Sequence, residues 1–270
     1  MPSILPPGIT PYYERNGIAI VHVDCRDILP LLVSASCDLV LTDPPYEAEA
    51  HTKGRRIHDQ RTNVIRSAPL TFTPIDADLR AFAGCHMARL SRRWTLVFCQ
   101  IEAAMLWRDA LEAGGARYMR TMVWAKPNGQ PQLTGDRPGM GYESIVTAHA
   151  LAASRWNGGG RLGWFLYPTD ANFSRTPRWH ETQKPITLMR DLVTLFSDPG
   201  DLILDPFMGS GTTLRAAADL GRRAIGIEIS EAYCAVAAQR LQQESMPLDF
   251  KQERERIVQP ERFESMAEDI

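Results

Sequence analysis

Apolar residues along the chain follow two spacings. Short β-branched or aromatic runs predict strands over residues 18–23, 37–42, 94–99, 117–124, 142–149, 201–205 and 223–228. Helical spacing predicts helices over 74–93, 102–112, 185–196, 212–220 and 231–242. In the first of these, Leu79, Phe82, Met87 and Leu90 fall on one face, and Gly114-Gly115 stops the second. Strands that alternate with helices imply a mostly parallel sheet covered on both faces. The expected fold is therefore α/β with seven strands. Ligands of such sheets sit beyond the carboxyl ends of the strands. Asp24, Asp43, Asp205 and Glu228 all stand at predicted carboxyl ends.

Periodicity disappears over 150–183, a stretch with Gly158-Gly159-Gly160, several aromatics and Arg155, Arg161, Arg175 and Arg178. A long irregular segment within a domain is usually functional or disordered. The expected organisation is one domain over 1–248 with 150–183 inserted, followed by a mobile charged tail over 249–270.

Composition narrows the classes. A hydrophobic fraction of 44% and a charged fraction of 23% suit a soluble enzyme. No apolar run approaches the ~20 residues that span a bilayer, and the Pro-rich start has no signal-peptide pattern. Five scattered cysteines, with no C-x-x-C, argue for reduced thiols in a cytoplasm and against a zinc site; no metal is expected. The net charge of −2 excludes a basic coat, so any nucleic-acid contact must be a local patch. One candidate is the loop over 51–66, where Lys53, Arg55, Arg56, Arg61 and Arg66 face a single acid, Asp59. A solvated loop would read the same way, but this one directly follows a chemical motif.

Two motifs carry the chemistry. The later one is Asp205-Pro206-Phe207-Met208-Gly209-Ser210-Gly211-Thr212-Thr213, a glycine turn between a strand and a helix. Glycines let backbone approach a ligand, and the helix start offers free N–H groups. A phosphate loop would need a lysine here, and a dinucleotide fingerprint would need glycine at Leu214. Asp205 is placed to meet a cationic group, and Glu228 to accept both ribose hydroxyls. S-adenosylmethionine carries an ammonium, a sulfonium and a ribose without phosphate, and fits this acidic pocket better than NAD. Both acids could also be simple helix-capping groups.

The earlier motif is Asp43-Pro44-Pro45-Tyr46. An exocyclic amino group on a base is a poor nucleophile, because its lone pair is delocalised into the ring. Acceptors on its hydrogens turn that lone pair outward. Asp43 and the Pro44 carbonyl are such acceptors, held rigid by proline. Tyr46 offers a stacking face for an extruded base, worth ~1–3 kcal/mol, against the few kcal/mol that unstacking costs. Alone, Asp-Pro-Pro-Tyr would pass for a turn; paired with the glycine turn it does not.

With Trp124-Ala125-Lys126-Pro127-Asn128, Tyr142-Glu143-Ser144-Ile145, Gln183-Lys184-Pro185 and Asp198-Pro199-Gly200-Asp201, these motifs make the chain, over roughly 18–240, resemble the beta group of amino-methylating DNA methyltransferases. That group carries its catalytic motif before its cofactor loop, a circularly permuted order also seen here. The resemblance implies a Rossmann-like S-adenosylmethionine-dependent fold with seven strands, the last antiparallel. It implies that Asp43, Pro44, Pro45 and Tyr46 are catalytic and that Phe207, Gly209, Ser210, Gly211 and Thr212 form the cofactor loop. Glu228 would be the ribose acid, and Lys184-Pro185 would close over the methionine end. Asp24-Cys25 would contact the cofactor adenine, although Val23 replaces the family's usual glycine. The segment 150–183 would be a short target reader, implying a short site or recognition shared with 51–66 or a second subunit. The implied partners are duplex DNA, a second copy of the chain, and a cognate restriction endonuclease, or none for a solitary or prophage-borne enzyme. Asp at the first catalytic position favours adenine over cytosine. The competing readings are an RNA-base or side-chain-amide methyltransferase, a non-catalytic DNA-binding module, and a nicotinamide oxidoreductase.

Overall fold

The computed structural model describes residues 5–46, 55–59, 64–68, 74–129, 135–136, 138–150, 155–169 and 184–242, with backbone alone at 55–59 and 64–68. Along the chain come β1 (Tyr13–Arg15), β2 (Ile18–His22), α1 (Cys25–Ile28), β3 (Cys37–Thr42), β4 (Arg55–Asp59), β5 (Val64–Ala68), α2 (Ala77–Leu90), β6 (Ser91–Cys99), α3 (Ala104–Ala113) and β7 (Arg117–Ala125). They are followed by β8 (Tyr142–His149), β9 (Trp164–Leu166), α4 (Ile186–Phe196), β10 (Leu202–Asp205), α5 (Thr212–Asp219), β11 (Arg223–Glu228) and α6 (Glu231–Gln242).

Among the described residues, the main sheet has nine strands in the order β1-β2-β11-β10-β3-β6-β8-β7-β9. Its centre, β2 through β6, is parallel, and β8 runs antiparallel between β6 and β7. Alternate residues feed opposite faces. Ala19, Val21 and Val40 join one core with Met87 and Leu90 of α2 and Trp107 and Leu111 of α3. Ile18, Ile20, Leu39 and Leu41 join the other, with Leu188 and Phe196 of α4, Leu214 of α5 and Cys234 of α6. Burying such a side chain stabilises by about 1.5–3 kcal/mol. Two buried faces explain why these strands are unbroken apolar runs.

All seven predicted strands are present, but the sheet has two more. β1 folds back on β2 through Asn16-Gly17, both at positive φ (51° and 78°), and carries polar residues that no apolar run betrays. β9 pairs parallel with β7 from within the segment expected to be irregular; at three residues it is too short to show a period. The expected loop over 51–66 is in part a hairpin, with 55–59 paired antiparallel to 64–68. Helix α2 ends at Leu90 and not at Arg93, because Ser91 already pairs with Cys37 and Arg92 reaches Asp38 across β3. The expected tail over 249–270 lies outside the described residues. No helix among the described residues is long and apolar enough to cross a membrane.

Candidate active site

One edge of the sheet gathers the candidate residues. The carboxyl ends of β2, β3, β10 and β11 bring Asp24, Asp43, Asp205 and Glu228 to that edge. Because β8 is antiparallel, its amino end lies there as well, with Glu143 opposite Trp124 near the end of β7. The chain into α4 supplies Lys184 and Pro185.

The glycine turn is shaped by its neighbours. Gly209 and Gly211 have φ of 51° and 76°, a region that favours glycine. A Cβ on Gly211 would lie 2.7 Å from the Ala237 Cβ of α6, whereas one on Gly209 would meet nothing within 4 Å. The turn is therefore packed on one side and open on the other. Leu214, where a dinucleotide fingerprint has its third glycine, packs on Gly226 of β11, whose added Cβ would stand 2.7 Å from Leu214 Cδ2. Close helix–strand approach is achieved with the glycine on the strand instead.

Asp205 is buried and anchors the turn. It accepts from Thr42 Oγ1 at 2.7 Å, from the Phe207 N–H at 3.2 Å and from Thr213. Burial pushes its carboxyl up to about 6, against the pull of those donors. With the protein's own groups filling it, Asp205 shapes the pocket more than it lines it. Ser210 and Thr212 turn inward likewise: Arg240 of α6 donates to the Ser210 carbonyl at 2.8 Å, to Ser210 Oγ at 3.1 Å and to Thr212 Oγ1 at 3.2 Å. Phe207 is partly buried against the core.

Glu228 accepts from the Gly209 N–H at 3.0 Å on one oxygen and the Ser230 N–H at 2.8 Å on the other, and the Ile229 N–H donates to it as well. Burial raises its carboxyl, opposed by those backbone donors. An ionised carboxylate has about four acceptor positions, which leaves room for a ligand hydroxyl. Asp24 stands at the adjacent strand end, where the Val23 N–H donates to the Glu228 carbonyl at 3.0 Å. It caps α1 and pairs with Arg26 at 2.6 Å, and that hydrogen bond holds it below the usual carboxylate range. The Cys25 side chain lies in the core, its thiol pushed up to about 12 by burial and by Asp24.

The half of the site around Asp43 is a row of alternating charge. Lys184, 4% exposed, places its ammonium 2.5 Å from Asp43 Oδ2, 3.2 Å from the Tyr46 hydroxyl and 3.1 Å from Glu143 Oε2. The ring of Phe98 lies 5.1 Å away and that of Tyr46 5.5 Å. Glu143 is also paired with Lys126, which lies over the Trp124 ring at 4.6 Å. Burial raises the Asp43 carboxyl, with Lys184 opposing it. For Lys184, burial acts downward, but Asp43 and Glu143 outweigh it and hold the amine charged. For Glu143, burial acts upward and is outweighed by Lys184 and Lys126. A contact worth ~1 kcal/mol in water is worth ~4 kcal/mol near a protein surface, so pairing decides these states. Among the described residues, Asp43 Oδ1 is left buried with no hydrogen-bond partner. A buried acceptor without a donor is rare and points to an absent one.

Lys184 thus stands against two residues of the Asp43 motif, Asp43 and Tyr46. Lys126 and Glu143 stand in stretches that carry the family resemblance, but the sequence gives neither a role; residue by residue they read only as a lysine after one apolar strand and a carboxylate opening another. Arg240 gives no signal at all.

The candidate DNA-contacting arginines divide. Arg161 makes a bidentate pair with Asp191 of α4 at 3.0 and 2.6 Å, and Tyr167 donates to the same carboxylate at 2.9 Å. That arginine is committed within the fold. Arg155 is largely exposed and pairs with Asp198 and Asn157. Arg55 and Arg56 lie on β4, where the backbone alone is described, and Lys53, Arg61, Arg175 and Arg178 lie outside the described residues. No group of metal-ligating side chains occurs among the described residues.

Residues 155–239 match the model of the DNA methylase family whose members methylate N6 or N4 amino groups. That stretch contains Lys184, the glycine turn and Glu228, and leaves the Asp43 motif to the geometry above. Fold and family match both point to the amino-methylating DNA methyltransferases, and the resemblance to the beta group is borne out. The type II methyltransferase M2.DpnII of Streptococcus pneumoniae is 26% identical over 264 residues, covering 87% of this chain and 93% of that protein. M2.LlaDCHI of Lactococcus lactis subsp. cremoris is 25% identical over 272 residues, covering 86% and 91%. Among solved structures, the M1.HpyAVI–SAM complex superposes with a TM-score of 0.64 over 83% of this chain and 98% of that one, at 24% identity. PvuII DNA methyltransferase, described as cytosine-N4-specific, gives 0.70 over 88% and 91%, at 15% identity. These two likenesses speak to the fold, and the α/β methyltransferase class is that expected from the sequence.

Proposed function

We propose that this chain methylates the exocyclic amino group of adenine in duplex DNA, using S-adenosylmethionine, with the target base turned out of the helix. The observation that carries the reading is Asp43: one oxygen is fixed by Lys184, and the other is buried with no donor among the described residues. An amino group of a flipped base supplies that donor. Asp43 Oδ1 accepts one of its hydrogens and the Pro44 carbonyl the other, turning the nitrogen lone pair outward. Tyr46 stacks on the base. The hydrogen held on Oδ1 is the proton that the nitrogen releases once alkylated.

The turn fits the cofactor by its chemistry. It is open at Gly209, flanked by Glu228 and Asp24, and holds no lysine that would favour phosphates. Glu228 would hold the ribose, Asp24-Cys25 would lie at the adenine, and the backbone from Phe207 to Thr212 would line the loop. S-adenosylmethionine supplies a methyl group on a sulfonium, already activated for displacement. Residues 1–248 would form the catalytic domain and 150–183 its target reader, with 51–66 gripping phosphate.

Modification-sensitive sequencing of DNA from cells expressing the chain tests this reading. N6-methyladenine at one short motif is the expected result. N4-methylcytosine would move the assignment to the other amino base, and unmodified DNA would remove DNA as substrate.

A further inference from the structure

The charge row at the catalytic edge does more than bury Lys184. Lysine is an expensive residue to bury, and here its ammonium faces two carboxylates from different elements: Asp43 after β3, and Glu143 at the start of β8. Only Asp43 belongs to the motif that meets the base. Glu143 is too occupied to serve a substrate: one oxygen is paired with Lys126 and the other lies against Lys184. Its position is fixed by strand pairing opposite Trp124, whose ring in turn supports Lys126.

We propose that Glu143 is a positioning residue for the methyl transfer. Together with Lys126 it holds the Lys184 ammonium on Asp43 Oδ2, and it offsets the charge of that ammonium, so that Oδ1 stays free, oriented and strongly accepting towards the amino hydrogen.

The balance of charge is the physical core of this. Asp43 and Glu143 together would repel, and one of them would take up a proton and cease to accept. Two lysines against Asp43 alone would leave a positive site, drawing down the basicity of Oδ1. With all four groups the row is neutral, and each carboxylate has an ammonium beside it. The other titratable groups facing Asp43 are the Tyr46 phenol, raised well above its ordinary value by burial and by Glu143, and Asp205 on the neighbouring strand. The phenol is uncharged at neutral pH, and the carboxylates paired with Lys184 are Asp43 and Glu143. Glu143 itself acts on Asp43 in the upward direction, while Lys184 and Lys126 act downward. Removing the Glu143 charge should therefore make Asp43 more acidic and a weaker acceptor.

This rests on the reaction proposed above, and its test separates the two. Glu143→Gln keeps shape and removes charge; Glu143→Gln with Lys126→Met restores a neutral row with Lys184 and Asp43 alone. For wild type and both variants, single-turnover methyl transfer to duplex DNA would be followed across pH, cofactor affinity measured by calorimetry, and the Asp43 carboxyl titrated by carbon NMR. The Glu143→Gln variant should lose at least about tenfold in rate with its cofactor Kd within about twofold. Its acid limb and the Asp43 titration should both move to lower pH, and the double variant should recover most of the rate. A merely structural Glu143 would move neither the pH limb nor the Asp43 titration, and the double variant would be worse than the single. Either that pattern or an unchanged rate in Glu143→Gln overturns the proposal. If the wild type methylates no duplex yet the Asp43 titration shifts as stated, the coupling stands and the proposed reaction falls.

Discussion

Asp205 is 2% exposed, and burial pushes its carboxyl up to about 6. An unfolded aspartate titrates near 3.9, so between about pH 4 and pH 6 the folded protein holds a proton that the unfolded chain has released. The stability this contributes is complete below about pH 4 and is lost as pH rises through about 6. Relative to Asp205→Asn, wild type should therefore lose roughly 2–3 kcal/mol of stability between about pH 4 and pH 7, read from urea melts. A difference that stays flat, or that grows in the opposite sense, would show that Thr42, Thr213 and the Phe207 N–H fully compensate the buried charge. At this scale the motif residues were legible because their chemistry is local: Asp43, Gly209, Gly211 and Glu228 each sit beside the strand end or turn that uses them. Glu143, Lys126 and Arg240 were not, because each acquires its role from a partner far away in sequence. Glu143 meets Lys184 only once an antiparallel strand has brought its amino end to the same edge.

The turn between β10 and α5 works as an element, held by α6 behind it. Gly211 opens α5 at φ 76°, against the Ala237 Cβ. Alanine there would meet left-handed strain of about 1–2 kcal/mol and overpacking of about 1–3 kcal/mol. Gly211→Ala should lower unfolding free energy by roughly 2–4 kcal/mol in denaturant melts and weaken cofactor binding. Unchanged stability would mean that α6 yields easily. A second element-scale link is Arg161, which ties the stretch before β9 to α4 through Asp191. Arg161→Ala should cost roughly 1–3 kcal/mol of stability, because the buried Asp191 carboxylate loses its bidentate counter-charge while Tyr167 still donates to it. Its list of methylated sites should stay that of wild type; an altered list would return Arg161 to base reading. Periodicity located all the predicted strands and helices, since each buries a repeating face. It missed β1 and β9, which are edge strands of three residues held by pairing rather than by an apolar stripe.

Across the whole molecule, a net charge of −2 leaves DNA attraction to local groups. The sequence concentrates cations next to the catalytic motif, and the backbone of that region forms the hairpin of β4 and β5. Replacing Arg55 and Arg56 by Ala should lower affinity for every duplex alike and flatten the salt dependence, by roughly one unit of slope per lost phosphate contact. A loss confined to one sequence would instead make the hairpin a base reader. The central claim is methyl transfer from S-adenosylmethionine to an exocyclic amino group, directed by Asp43. It is tested most directly by incubating wild type and Asp43→Ala with labelled cofactor and duplex DNA, then digesting the DNA to nucleosides and separating them. Label in N6-methyl-2′-deoxyadenosine from wild type is expected, with none from Asp43→Ala even though that variant binds the cofactor nearly as tightly. Comparable label from Asp43→Ala, or label on a ring carbon of cytosine, would contradict the claim.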